Sequence, residues 1–185
     1  MFASRQFLNI VLVVVMAGVA LSAAAEDEKP APPSVEETTL TKVGQMAPDF
    51  TVEVLGGGSF TLSEQKNKVV LINWFATWCP PCKEEMPHLQ KRVWEKLGPQ
   101  GLVMISVARQ EKAEVVAPFV KKYGTTWPFG LDPERTAYAK YAEAYIPRNT
   151  VVGPDGVIIF QSNGFEEPDF AAMIVAIEEA LAAQE

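Results

Sequence analysis

Apolar and polar positions change rhythm several times along this chain, and each rhythm predicts an element. Phe50, Val52 and Val54 take alternate positions, Gly56, Gly57 and Gly58 interrupt, and Phe60 and Leu62 resume the alternation, which predicts an N-terminal β-hairpin. "VVLINWF", from Val69 to Phe75, is nearly continuous in apolar residues and has the length of a strand buried on both faces. Met86, Leu89, Val93 and Leu97 then recur at helical spacing, predicting a helix over residues 82–97 that Gly98 and Pro99 end. Pro87 falls inside that helix, removes a donor and predicts a kink. "LVMISVA" at residues 102–108 reads as a second buried strand.

A helix over 111–123 follows from Val115, Val116, Phe119, Val120 and Tyr123; Pro118 forces a bend or a late start, and Gly124 supplies the stop. A short helix is expected at 134–144. Next comes a hairpin at 149–161 turning at Pro154-Asp155-Gly156, then a last helix at 169–182 with Phe170, Met173, Ile174, Ile177 and Leu181 as its apolar stripe. Parallel strands with helical crossovers, closed by an antiparallel hairpin, predict an α/β fold. Its core is a mixed central β-sheet flanked by helices on both faces, with an added N-terminal β-hairpin.

Ahead of all this stands a different pattern. Arg5 precedes an apolar run from Phe7 to Leu21, followed by Ser22-Ala23-Ala24-Ala25, the order of an export signal with a cleavage site at Ala25. Residues 7–25 also approach the roughly 20 apolar residues that span a bilayer, so an uncleaved anchor is the alternative. Either way the rest of the chain is expected outside the cytoplasm, in the periplasm or its equivalent. Residues 26–42, charged and Pro-rich, read as a flexible linker, leaving 43–185 as one folded domain. The net charge of −7 gives no reason to expect nucleic acid as a partner.

The chemistry rests on the only two cysteines, in "TWCPPCKEEMPHL". A structural staple, a pair of metal ligands and a redox couple are the three readings. A bridge across two intervening residues constrains little of the unfolded chain, so a staple is weak. Cys79 stands where a buried strand ends and a helix begins, and free N–H groups and the helix dipole favour a thiolate there. Cys82 lies one turn on and faces the same side, within disulfide range. Cys79 can attack a substrate disulfide and Cys82 can resolve the intermediate. Pro80 and Pro81 stiffen the first turn, where missing donors cost little.

"NWFATWCPPCKEEMPHL", the N-terminal "APDFTV" and "FTLSE", and the late "YIPRNTVVGPDGVIIFQ" together resemble the exported TlpA/ResA-like thiol–disulfide oxidoreductases of the thioredoxin superfamily. The likeness runs from about Val43 to the C-terminus. It implies an enzyme with Cys79 as exposed nucleophile, Cys82 as buried resolving thiol, a kink at Pro87 and no cofactor. It implies a cis-proline loop at Pro147, with the Ile146 backbone pairing with an extended substrate. It further implies client proteins with cysteine pairs, of cytochrome c or copper-site maturation type, and a membrane electron donor of thiol type.

Two departures stand out. Thioredoxins carry a buried Asp in the strand before the motif, where this chain has Asn73; the resemblance puts the proton acceptor for Cys82 at Glu111 instead, with Glu114 as fallback. Arg148 stands where relatives have small hydroxyl residues, and reads either as positive charge selecting a substrate near the thiolate or as a solvated loop residue. Trp74 and Trp78 read as packing, with Trp78 also beside the motif as a substrate contact. His88 reads as an outer helix residue rather than a ligand or catalyst.

Other functions are open at this level. Cys79 and Cys82 could hold Cu(I) as a metallochaperone, although no third His or Met ligand is evident and the methionines form no cluster. A disulfide-forming oxidase usually has a basic residue or His between its cysteines, where this chain has Pro80 and Pro81. A peroxidase would need Thr or Ser three residues before its nucleophile, where Cys79 has Ala76.

Overall fold

Strands β1 (Thr51–Val54), β2 (Ser59–Thr61), β3 (Val70–Phe75), β4 (Val103–Arg109), β5 (Phe129–Asp132), β6 (Arg148–Val152) and β7 (Ile158–Asn163) build one sheet in the computed structural model. The structure describes residues 31–184, so the export signal or anchor at 1–25 lies outside the described residues. The strand order is β2-β1-β5-β4-β3-β6-β7. β3, β4 and β5 run parallel, while β6, β7 and the β1–β2 hairpin are antiparallel to their neighbours. The sheet is mixed and carries the added N-terminal hairpin, as the sequence predicts.

Helix α1 (Pro80–His88) joins β3 to β4, and α2 (Ala113–Tyr123) joins β4 to β5. Both crossovers step across the sheet in the same direction, so right-handed connections bring both helices to the same face. Helix α3 (Glu167–Ala182) joins them there. Met86, Leu89, Val116, Phe119, Phe170, Met173 and Ile177 share one buried cluster with Leu71 and Phe75 of β3. The opposite face, where the sequence also predicts helices, is instead closed without a long helix. Phe50, Trp74, Tyr138 and Tyr141 pack as an aromatic group, with ring centroids of Trp74 and Tyr141 4.8 Å apart.

Four further expectations change. The helix after the cysteines does not simply kink at Pro87. It continues through wider i→i+5 turns over Leu89–Trp94 into a last turn at Glu95–Leu97, one way a chain accommodates a missing proline N–H. The short helix expected at 134–144 is a single 3₁₀ turn, Tyr138–Lys140, because the Asp132 carboxylate accepts from the Ala137 and Tyr138 N–H groups and holds the chain in a turn. β5 was not predicted. Its Gly130 is required by closeness, since a Cβ there would come within 2.6 Å of Val52 Cγ2 on β1.

The linker expected at 26–42 is exposed over residues 31–37 but docked on the domain from Thr38 onward. Thr38 and Thr41 are buried, the Leu40 N–H donates to the Tyr141 carbonyl, and the Glu143 N–H donates to that of Thr38. The segment buries few apolar groups and is held by hydrogen bonds, which its composition did not reveal.

Candidate active site

The end of β3 and the start of α1 converge on the cysteines. Cys79 has an extended backbone (φ −77°, ψ 115°), which is what a residue before proline prefers, and Pro80 and Pro81 occupy the first helical positions, where their missing N–H groups leave nothing unpaired. Cys79 and Cys82 form a disulfide with their Cα atoms 5.3 Å apart. The Cys82 N–H donates to Cys79 Sγ at 3.2 Å, so the first turn of the helix directs a donor at the sulfur that would carry the charge.

Cys79, expected as an exposed nucleophile, is less open than that, while Cys82 was expected to be buried. Cys79 retains 2% exposure and Cys82 none. Trp78, by contrast, is 61% exposed beside them and packs on little, which departs from the packing role expected of it. The Ile146–Pro147 peptide is cis, and the Ile146 carbonyl oxygen lies 3.6 Å from Cys79 Sγ. Tyr145, just before, has a left-handed backbone (φ 65°) pinned by bonds to its carbonyl from the Tyr138 hydroxyl and Arg148 Nε.

Glu111 reaches the site, but on the other side of the motif. Its two carboxylate oxygens accept from the Thr77 N–H at 2.7 Å and the Thr77 hydroxyl at 2.6 Å. It therefore anchors the loop leading into Cys79, and among the described residues it makes no hydrogen bond to Cys82.

The carboxyl group in the core is Glu85, three residues after Cys82 and fully buried. Asn73 Nδ2 donates to its Oε2 at 3.0 Å, and Asn149 Nδ2 donates to its Oε1. Burial pushes the Glu85 carboxyl up to about 7, against the opposing pull of the bonds from Asn149 and Asn73. Asn73 therefore takes a place beside this acid rather than replacing one. The helical stripe could have found Glu85: it stands at i+3 from Cys82 and i−4 from Leu89, both buried.

Arg148 is neither solvated nor beside the sulfurs. It is 6% exposed, and it leaves β6 on the face away from Asn149. Its Nε donates to the carbonyls of Ala144 and Tyr145, Nη1 to Thr39 Oγ1 and Nη2 to Thr38 Oγ1, so it clips the segment before β1 to the proline loop. His88 is half-buried, with its ring 5.0 Å from that of Phe165. Among the described residues no cluster of three His, Cys, Asp or Glu side chains could hold a metal, and no helix is long and apolar enough to cross a membrane.

A mixed sheet with an added hairpin, a Cys-x-x-Cys disulfide at a helix N-terminus and a cis-proline facing it define a thioredoxin-fold protein with a redox-active pair. The chain belongs to the AhpC/TSA family, whose model matches residues 43–161. With its Cys-x-x-Cys disulfide and its likeness to curated ResA relatives, it is a thiol–disulfide oxidoreductase. It is 32% identical to the thiol-disulfide oxidoreductase ResA of Halalkalibacterium halodurans over 123 residues, which cover 66% of this chain and 69% of that one. It is also 32% identical to ResA of Bacillus subtilis, over 63% of this chain and 64% of that protein, just under two thirds of its length. Among solved structures, a candidate protein disulfide isomerase from Bacteroides thetaiotaomicron is similar at a TM-score of 0.75 and 36% identity, covering 78% of this chain and 93% of that one. A candidate thiol:disulfide interchange protein DsbE from Chlorobium tepidum shares the fold at a TM-score of 0.69 and 24% identity, over 76% of this chain and 98% of its own.

Proposed function

We propose that this protein acts outside the cytoplasm and reduces disulfides in client proteins through the Cys79/Cys82 couple, with clients of cytochrome c or copper-site maturation type. The observation that carries the reading is the Cys79–Cys82 disulfide at the start of α1, with the buried Glu85 carboxyl group one turn further on. In the reduced enzyme the Cys79 thiolate attacks one sulfur of a client disulfide. That S–S bond breaks, the first client thiolate leaves, and a mixed disulfide forms. Cys82 then gives its proton to Glu85 and attacks Cys79 Sγ, which releases the second client thiolate. Two electrons pass to the client, the enzyme keeps the Cys79–Cys82 disulfide, and the proton on Glu85 returns to a departing thiolate or to solvent. A carboxyl group held near 7 can take up and return a proton at neutral pH.

The exposed Trp78 ring offers an apolar contact, and the Ile146 backbone, close to Cys79 Sγ, can pair with an extended client segment. An oxidising compartment does not keep a dithiol reduced, so a membrane donor of thiol type has to supply the electrons. The N-terminal segment supports export, ending either in cleavage after Ala25 or in an anchor at residues 7–25.

The test is the reduction potential of the pair, measured by equilibrating the domain in thiol buffers and counting alkylated cysteines by mass. A value of about −270 mV or lower is expected of a reductant; a value near −120 mV, about that of strong oxidants, would reverse the assigned direction.

A further inference from the structure

Trp127 lies just before β5 and is buried, 3% exposed. Its indole N–H can only donate, and it does so to Ser106 Oγ on β4 at 2.9 Å. The Ser106 hydroxyl accepts there and gives its own proton to Asn73 Oδ1, also at 2.9 Å. The Asn73 amide is thereby oriented, with its Nδ2 hydrogens going to Asn149 Oδ1 and Glu85 Oε2. Asn149, with its oxygen taken, gives an Nδ2 hydrogen to Glu85 Oε1. All five side chains are buried. A donor-only group stands at one end and an acceptor-only carboxylate at the other. No member between them can reverse without setting two donors or two acceptors face to face, at the cost of an unmet buried group.

We infer that Trp127 is a positioning residue for the proton chemistry of Glu85. It fixes the direction of a hydrogen-bond chain that offers Glu85 two N–H donors and no acceptor. This rests on the reading of Glu85 as the partner of Cys82 and adds what tunes it. A protonated Glu85 has an O–H that the chain cannot receive, so the chain favours the carboxylate and opposes the effect of burial. Without the indole N–H, Ser106 is free to accept from Asn73, and the Asn73 and Asn149 amides can turn over together, so that the Asn73 oxygen accepts from the Asn149 amide and from the Glu85 O–H.

The other groups around Glu85 leave it to this chain. Asn73 and Asn149 face it from β3 and β6 and are neutral, and Cys82 precedes it on α1. Lys83 and Glu84 lie toward the solvent side of the helix and His88 packs on Phe165. Glu111 is engaged with Thr77, and Arg148 departs on the far face of the sheet.

The experiment follows the Glu85 side-chain carboxyl carbon by NMR through a pH titration of the oxidised protein, with the signal assigned by its loss in Glu85→Gln. Trp127→Phe keeps the ring, which stacks on Phe129 at 5.4 Å and 24°, and removes only the donor. The Glu85 pKa is expected to rise by about one pH unit in Trp127→Phe and likewise in Ser106→Ala. The double variant should rise no further, and Ser106→Thr, which keeps the hydroxyl, should match the parent. An unchanged Glu85 titration in either single variant, or additive rises in the double, overturns the inference. Because Glu85 itself is read, this outcome is separate from a failure of the parent reading, which would appear as an unaltered pH profile of Cys82 alkylation in Glu85→Gln.

Discussion

Arg148 and Asn149 are adjacent on β6, yet they serve two buried polar sites on opposite faces of the sheet that handle charge in contrasting ways. On the α1 face, Glu85 is surrounded by the neutral amides of Asn73 and Asn149. On the other face, the Arg148 guanidinium is surrounded by the carbonyls of Ala144 and Tyr145 and the hydroxyls of Thr38 and Thr39. Neither ion sits in an ion pair; among the described residues the one close pair joins Arg92 and Glu167 at the surface. Burying an unpaired charge is costly, and a group can escape that cost by neutralising. Glu85 can do so near pH 7, whereas a guanidinium stays charged throughout the physiological range. On the reading proposed for Glu85 the first site exchanges a proton near neutral pH, one helical turn from Cys82, and the second is a permanent clip.

The largest effect that tests this contrast is the pH dependence of stability. The folded Glu85 pKa is raised from 4.5 to about 7 by burial, so the folded state holds a proton that the unfolded state has released in between. That stabilisation is fully present below pH 4.5 and is lost as the pH rises through about 7, amounting to about 3 kcal/mol at 1.36 kcal/mol per pH unit. Denaturant unfolding at pH 5 and pH 8 should show this decline in the parent. Glu85→Gln, with no proton to lose, should give a flat line. A parallel decline in both would remove Glu85 as the exchanger.

Arg148→Met should act more weakly and without regard to pH. The Tyr138 hydroxyl still donates to the Ala144 and Tyr145 carbonyls, so what is lost is chiefly the grip on Thr38 and Thr39. Charge-assisted bonds of this kind contribute about 2 kcal/mol, which predicts faster hydrogen exchange at the amides of Leu40 and Glu143, by the same factor at pH 6 and pH 8 after correction for intrinsic rates. Exchange that quickens only at one of the two pH values would mean that Arg148 is coupled to a titrating group after all.

How much of this was legible in sequence depends on the residue. "VVLINWF" and the spacing of the cysteines were sufficient for the central strand and the reactive pair, because continuous apolarity and a strand-to-helix junction are local signals. β5 was hidden because it is four residues long, follows Pro128 and contains Gly130, whose purpose is a close approach to Val52 visible only in three dimensions. Arg148 was misjudged because Arg is usually exposed, and the residues that bury it lie more than 100 positions earlier. Glu85 was the avoidable miss. The stripe through Cys82, Met86 and Leu89 covers its position, and Asn73 in an otherwise apolar strand was the sign that something polar faced it.

The smallest expected effect separates the two carboxylates. Glu111 lies close to the motif in both sequence reading and structure, but its bonds go to Thr77, so it should govern the loop and not the proton. In Glu111→Gln the amide oxygen can still accept the Thr77 N–H, and the Thr77 hydroxyl can turn to accept from the new amide. The loss should be about 1 kcal/mol in unfolding free energy, the size of one weakened hydrogen bond. The pH profile of Cys82 alkylation in the reduced protein should not move, whereas Glu85→Gln should displace it. If Glu111→Gln displaced that profile and Glu85→Gln left it in place, the proton would travel through the loop carboxylate, and the buried site on α1 would be no more switchable than the clip behind it.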